Sequence, residues 1–242
     1  KGRFRGEQML YHSERIYGID ISKYQHVHKR RVYGIDWRNL RITRLGHTAD
    51  RNALGAVDYP VSFVYIKSTE GLTVFNPYYT QDVRAARRYG FPVGAYHFFS
   101  TRPAMSQADY FLKKSRLRKG DLPPMLDVEL SDRRIAAMGG RDVLFREMLV
   151  WLKEVGRRSG TTPIIYVSQD FVNRYMPFAP EELKAYPVWV ARYGEYKPYV
   201  HLLYWQLSPD GRVRGIQGDV DIDVFNGSEE QFKRYLRAQT VK

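Results

Sequence analysis

The chain has 242 residues, a formal net charge of +13, 19 Tyr, 4 Trp and no Cys. Without thiols, disulfide staples and thiolate-held metals are excluded, and no apolar run is long enough to span a bilayer. The positive field favours polyanionic partners, yet Lys and Arg are scattered and no nucleic-acid-binding signature occurs, so nucleic acid is not expected as a partner.

Residues 1–15 are basic and aperiodic and read as an arm or linker ahead of a single domain over 16–242. The chain starts at Lys1 rather than Met, which suggests that an upstream segment has been removed. Residues 16–22 alternate as a strand carrying Asp20 near its end. A long Arg-rich connection then runs to residue 60, with a short helix expected at 35–40 and a loop at 46–56; its length reads as an insertion over one end of the fold.

From there short β-branched or aromatic runs alternate with helical patterns. Strands are expected at 61–67, 91–98, 122–130 and 163–168. Helices are expected at 79–89, stopped by Gly90, at 103–117, opened by Pro103, and at 141–158. The last of these shows an apolar stripe of Val143, Phe145, Met148, Leu149, Leu152 and Val155. Three more strands, 187–192, 201–206 and 220–225, follow with little helix between them, and a helix at 229–238 closes the chain. Eight strands with helical crossovers through the first five predict an α/β fold: a modified TIM-like (β/α) barrel whose last three strands are joined mainly by loops.

In such barrels chemistry gathers where strands end. The polar residues fall there: Asp20, Lys67, Tyr96 with His97, Asp127 with Glu129, Tyr166, Arg192, Gln206, and Asp221 with Asp223. Alternation places Met125, Asp127 and Glu129 on one face of their strand, with the acids roughly 6 to 7 Å apart, a spacing that glycosidases use for paired carboxylates. Acids facing solvent or paired with Arg and Lys are the bland alternative for any one of them.

Six segments, in order, resemble the glycoside hydrolase family 25 lysozymes: Tyr-Gly-Ile-Asp-Ile-Ser-Lys-Tyr-Gln at 17–25, Phe-Val-Tyr-Ile-Lys-Ser-Thr-Glu-Gly at 63–71, Val-Gly-Ala-Tyr-His-Phe at 93–98, Pro-Met-Leu-Asp-Val-Glu at 124–129, Trp-Gln at 205–206, and Gly-Asp-Val-Asp-Ile-Asp-Val-Phe-Asn-Gly at 218–227. The resemblance implies a muramidase that cleaves the β-1,4 bond between N-acetylmuramic acid and N-acetylglucosamine in peptidoglycan. It makes Glu129 the catalytic acid, Asp127 the acid that assists through the substrate's acetamido group, and Asp20 and Asp221 the further acids of the site. It also implies a secreted or cell-envelope protein. The longer basic segment between Asp36 and Phe63 departs from the family pattern.

The second catalytic task falls either to a carboxylate nucleophile or to the substrate's own acetamido oxygen; spacing does not separate them, and the resemblance favours the acetamido route. Tyr96, Tyr166, Tyr193 and Trp205 are candidate platforms for sugar rings, with core packing the commoner role of any single aromatic. Gln206 joins them as a substrate-binding candidate. Lys67 and Arg192 either hold the acids or bind the carboxylates of the wall. His97 reads as an interior histidine, no second His stands at metal-ligand spacing, and no metal or cofactor is expected. Asp223 shares a face with Asp221 but stays outside the catalytic set. A monomer is expected. The rivals are a non-catalytic wall-binding barrel and a chitinase-like glycosidase.

Overall fold

The computed structural model describes residues 15–47, 55–191 and 201–242. All but Arg15 of the expected arm, together with Arg192 and Tyr193, lie outside them. The strands are Ile16–Ile21 (β1), Val27–His28 (β2), Arg31–Val32 (β3), Arg41–Arg44 (β4), Ala56–Pro60 (β5), Val64–Glu70 (β6), Val74–Phe75 (β7), Val93–Phe98 (β8), Met125–Asp127 (β9), Ile164–Ser168 (β10), Pro187–Ala191 (β11), His201–Arg214 (β12) and Val220–Phe225 (β13).

Eight of them close a barrel in the order β1, β6, β8, β9, β10, β11, β12, β13 and back to β1. From β1 to β12 the neighbours are parallel. The eighth, β13, is antiparallel to both β12 and β1. Residues 215–219 leave no room for the dozen or more residues that a parallel crossover needs, so the chain must turn straight back. The expected barrel is therefore present, with one reversed strand.

Period-2 alternation splits the apolar residues between two cores. Phe63, Tyr65, Met125, Ile164, Trp189, Tyr204 and Phe225 fill the barrel, with Phe232 of the helix Glu229–Gln239 at its base. The Trp189 and Tyr204 rings lie 4.7 Å apart, and the Tyr65 ring meets Trp189 edge-on at 5.0 Å. Outside, Ile19, Ile66, Leu126, Ile165, Val190 and Ile222 pack under the helices Tyr79–Arg88, Ala104–Ser115 and Arg141–Ser159. On the last helix Leu144 and Trp151 are buried, whereas Val143 and Leu149 are only half-buried, so the apolar stripe is rotated from the expected one. Two short helices, Gln169–Arg174 and Glu181–Lys184, lie between β10 and β11.

The connection from 37 to 60 adds two strands that the sequence reading did not expect, on either side of the loop at 46–56, of which 48–54 lie outside the described residues. After a short 3-10 turn at Trp37–Asn39, β4 and β5 form a hairpin that pairs with the far half of β12, Val213 opposite Ile42. Strand β12 thus runs on well past residue 206. Ile42 is buried but set among Arg41, Thr43 and Arg44, whose polarity hides a strand signal, and Arg41 is held on Asp58 at 2.6 Å.

A second, smaller hairpin joins β2 to β3, with Val27 opposite Val32 and His28 opposite Arg31. Its two-residue turn places Lys29 and Arg30 at φ of 46° and 65°. Left-handed backbone costs an L side chain about 1–2 kcal/mol per residue.

Close approach inside the barrel requires glycine at position 18, where a Cβ would stand 2.3 Å from the Phe63 ring. Gly18→Ala is expected to destabilise the protein by about 1–3 kcal/mol through overpacking; a urea denaturation midpoint equal to that of the wild type would contradict this packing.

Candidate functional site

Each barrel strand delivers its inward side chains to one mouth. Asp20 stands one residue before the end of β1 and directly opposite Asp221 of β13, while Asp223 is opposite Gly18, one inward position deeper. Because β13 is reversed, Asp221 sits near the start of its strand rather than at its end. Across the other edge of β13, Asp223 is opposite Gln206, whose Nε2 donates to Asp20 Oδ2 at 3.3 Å.

Strand β9 ends at Asp127, earlier than the expected 130, so Glu129 lies two residues beyond it. The ladder nevertheless continues, since Val128 N–H donates to Tyr166 O at 2.9 Å. Alternation therefore carries through, and Glu129 follows Asp127 onto the inward face. Asp127 is buried beside Tyr166 and Phe98, whereas Glu129 is exposed at the rim.

Tyr96 and Tyr166 locate the common centre. Burial pushes the Tyr96 hydroxyl well up, and the charges of Asp20, Asp127, Asp221 and Glu129 all push it further. Tyr166 is raised in the same way, first by burial and then by Asp20, Asp127, Glu129 and Asp223. Two phenols, both nine-tenths buried, thus face carboxylates arriving from three strands, β1, β9 and β13.

Crowding and burial oppose ionisation. Asp127 is held well above the usual carboxylate range by burial, then by the charges of Glu129 and Asp20, with Lys67 opposing. Its Oδ1 has no hydrogen-bond partner among the described residues. Glu129 is raised by burial and by Asp20, while its hydrogen bond with Asp127 and the charge of Lys67 pull it down. Asp20 is raised by burial, against hydrogen bonding with Asp223, Asp221 and Gln206. Asp223 is fully buried and raised strongly, by burial and then by the Asp20 charge, and neither of its oxygens makes a well-formed hydrogen bond.

The remaining candidates divide. Lys67 faces the Asp127 and Glu129 carboxylates but donates to Glu70 at 2.7 Å and lies over the Phe98 ring at 4.9 Å. Glu70 was not anticipated; the strand's bulge after Lys67 breaks the alternation that would have related the two. Trp205 is corrected as a sugar platform at this mouth. Since Gln206 and Tyr204 point inward, Trp205 must point outward. There it packs against the outer core, with the Arg15 guanidinium 5.5 Å from its ring. It lines a cleft of about 960 Å³ beside Ile16 and Phe225, the residues at the opposite end of β1 and β13 from the acids.

His97 also points outward. Its ring nitrogens meet Thr69 Oγ1 at 2.7 Å and Gln107 Oε1 at 2.9 Å, it stacks on Trp151, and burial pushes its pKa down to about 4, so it is a neutral interior histidine. Among the described residues no group of His, Asp and Glu is set to hold a metal ion, and no helix is long and apolar enough to cross a membrane.

Comparison with known proteins gives concordant matches. The family model "Glycosyl hydrolases family 25" matches residues 19–216. Protein YegX of Escherichia coli O157:H7, which carries no assigned function, is 33% identical over 225 residues, covering 91% of this chain and 73% of its own. Lysozyme M1 of Streptomyces globisporus is 29% identical over 229 residues, covering 88% and 68%. The solved structure of a family 25 glycosyl hydrolase from Bacillus anthracis superposes with a TM-score of 0.69 at 24% identity, covering 91% of this chain and 93% of that one.

The burial of Asp223 has a measurable sign. Its carboxyl keeps its proton to higher pH in the fold than in the unfolded chain, so over that range folding takes up a proton there. Its contribution to stability is complete below the ordinary carboxylate range and is lost as pH rises through the raised value. Asp223→Asn is therefore expected to raise the denaturation midpoint at pH 7, with the gain shrinking towards pH 4. A gain independent of pH would contradict a neutral buried acid.

Proposed function

The chain belongs to glycosyl hydrolase family 25, and on that premise we propose that it is a muramidase that hydrolyses the β-1,4 bond between N-acetylmuramic acid and N-acetylglucosamine, with Glu129 as the general acid and Asp127 as the group that supports acetamido assistance. The observation that carries the assignment of roles is the difference between the two acids: one is exposed at the rim with a raised pKa, the other is buried with a free acceptor atom.

Cleavage requires a proton on the leaving oxygen and a partner for the positive charge that grows at the anomeric carbon. Glu129 is open to a bound glycan and inclined to keep its proton above the usual carboxylate range, as a general acid must. Asp127 Oδ1 is a buried acceptor without a donor among the described residues. An acetamido N–H donated to it would favour the carboxylate form, and the amide oxygen would then be turned towards the anomeric carbon to form a cyclic intermediate. As that bond forms, the Glu129 proton passes to the departing oxygen. Glu129, now charged, accepts a proton from the water that reopens the ring, which restores the starting state.

Asp20 and Asp221 line the mouth with carboxyls, which favours an oxocarbenium-like centre, and the Asp20 charge raises the energy of ionised Glu129. Tyr96 and Tyr166 give the sugar aromatic edges beside the acids, and Gln206 keeps Asp20 in place. Arg192 and Tyr193 lie outside the described residues and stay substrate-binding candidates on the sequence alone. The protein acts as a monomer on one domain spanning 16–242, outside the cytoplasm in the secreted or envelope space where the lysozyme relatives' substrate lies.

Glu129→Gln is expected to lower the clearing of purified cell walls by about 10²- to 10⁴-fold with an unchanged unfolding curve. Mass spectrometry of the wild-type digest is expected to show N-acetylmuramic acid at the new reducing ends; N-acetylglucosamine there would overturn the bond assignment. The alkaline limb of wild-type activity is expected above the ordinary carboxylate range, because the acid must keep its proton. Asp20→Asn removes a charge that holds Glu129 up, so this limb moves to lower pH; an unmoved limb would separate Asp20 from the acid.

A further inference from the structure

The segment that leaves β1 immediately after Asp20 is built as a braced stalk with a cationic tip. Its root is the 3-10 turn Lys23–Gln25, closed by a capping box in which Ser22 and Gln25 bond each other's backbone. Gln25 Nε2 also donates to the carbonyl of Asp219, two residues before Asp221, so the stalk stands on the rim of the acid mouth. His26 is buried as its brace, Nε2 lying 2.7 Å from Asp82 Oδ2 and Nδ1 2.9 Å from Tyr33 O, with the Tyr78 ring stacked on it at 4.2 Å.

Above the brace, β2 and β3 carry His28, Lys29, Arg30 and Arg31 in succession, all exposed, next to exposed Val27, Val32 and Tyr24. Elsewhere on the surface cations are commonly paired, as Arg41 is with Asp58, Arg158 with Asp109 and Lys153 with Glu182. Among the described residues Lys29, Arg30 and Arg31 meet no acid.

The turn itself breaks a local rule. A two-residue hairpin with positive φ at both central positions suits Asn-Gly, whereas Lys29 and Arg30 occupy them here. Strain held in place by firm surroundings, without a local gain, concentrates at functional sites. What the strain accomplishes is to set two cations at the end of an arm that is braced at the rim.

We infer that this hairpin is a docking element for the carboxylates of the peptide stems carried by the glycan strand whose sugars occupy the groove. The reading rests on the muramidase assignment, because it takes its partner from that substrate. Charge supplies the argument. The groove wall is a cluster of acids that accepts neutral sugar rings and repels carboxylates. Stem carboxylates are thereby displaced to the rim, where Lys29, Arg30 and Arg31, which meet no acid among the described residues, receive them, with Val27, Val32 and Tyr24 offering apolar contact to the stem.

The test uses binding, in the Glu129→Gln background so that the wall is not consumed. Sedimentation with intact purified sacculi is compared with sedimentation with glycan strands freed of peptide by an amidase. Replacing Lys29→Gln and Arg30→Gln, which keeps the strained turn, is expected to weaken binding to intact sacculi about five- to tenfold at low salt. On peptide-free strands the parent is expected to fall to the same level, with no further loss in the variant. Replacing Lys29→Asn and Arg30→Gly should weaken binding equally while raising the melting temperature, because the turn is relieved.

Unchanged binding of both variants to intact sacculi would overturn the inference, as would an equal loss on peptide-free strands. So would loss on removal of phosphate-linked polymers from the wall instead of peptide. If the wild type bound walls in this stem-dependent way but released no muramic ends, the muramidase assignment would fail and the docking element would stand.

Discussion

The constraint on which the structure turns is that one closed sheet directs Asp20, Asp127, Asp221 and Asp223 inward, and adds Glu129 at the rim, each felt by Tyr96, by Tyr166 or by both. Such a set cannot all be ionised: each charge makes the next more costly, and burial adds to this at Asp20, Asp127, Glu129 and Asp223. The molecule therefore holds protons in this mouth at a pH where free carboxyls would have lost them. A protonated acid poised above its usual range is what glycoside cleavage asks for, so the electrostatic cost of the cluster and its catalytic value have one origin.

That cost is carried by the rest of the barrel. Below the acids the interior is filled by Phe63, Tyr65, Trp189, Tyr204 and Phe225, a dry aromatic base that fixes strand positions and keeps bulk water from screening the mouth from beneath. Gly18 is part of the same arrangement, since the ring of Phe63 takes the space a side chain would fill. Reversal of β13 brings Asp221 face to face with Asp20, and the long β12 links this edge to the β4–β5 hairpin. The rim then carries the opposite charge, on a hairpin braced by the His26–Asp82 contact. Acidic floor and basic rim sort a substrate that is neutral along its backbone and charged along its branches.

Much of this was legible in the residue order. The alternation of short β runs with helical patterns is a local signal, and all eight barrel strands overlap the runs it marked, with β9 shorter and β12 longer than expected. The pair Asp127 and Glu129 stood out because charge inside an apolar strand is conspicuous, and the six ordered segments from residue 17 to 227 named a family that the match over 19–216 supports. The hairpin of β4 and β5 was not legible, because Arg41, Thr43 and Arg44 around the single buried Ile42 look like surface loop until β12 is seen to pair with them. Trp205 illustrates the converse: its neighbourhood in sequence suggested the groove, and only the inward direction of Gln206 excluded it.

What the sequence by itself determined is the set of elements, the acids they carry and the chemistry such acids perform, since propensity, alternation and side-chain type are properties of neighbouring residues. What only the tertiary structure decided is which of those groups share a space: the direction of β13, the depth of Asp223, the partner of Lys67, and the braced position of the cationic turn beside the acids. Those are relations between residues up to two hundred positions apart, and they exist only once the sheet has closed and burial has set the dielectric in which each charge is felt.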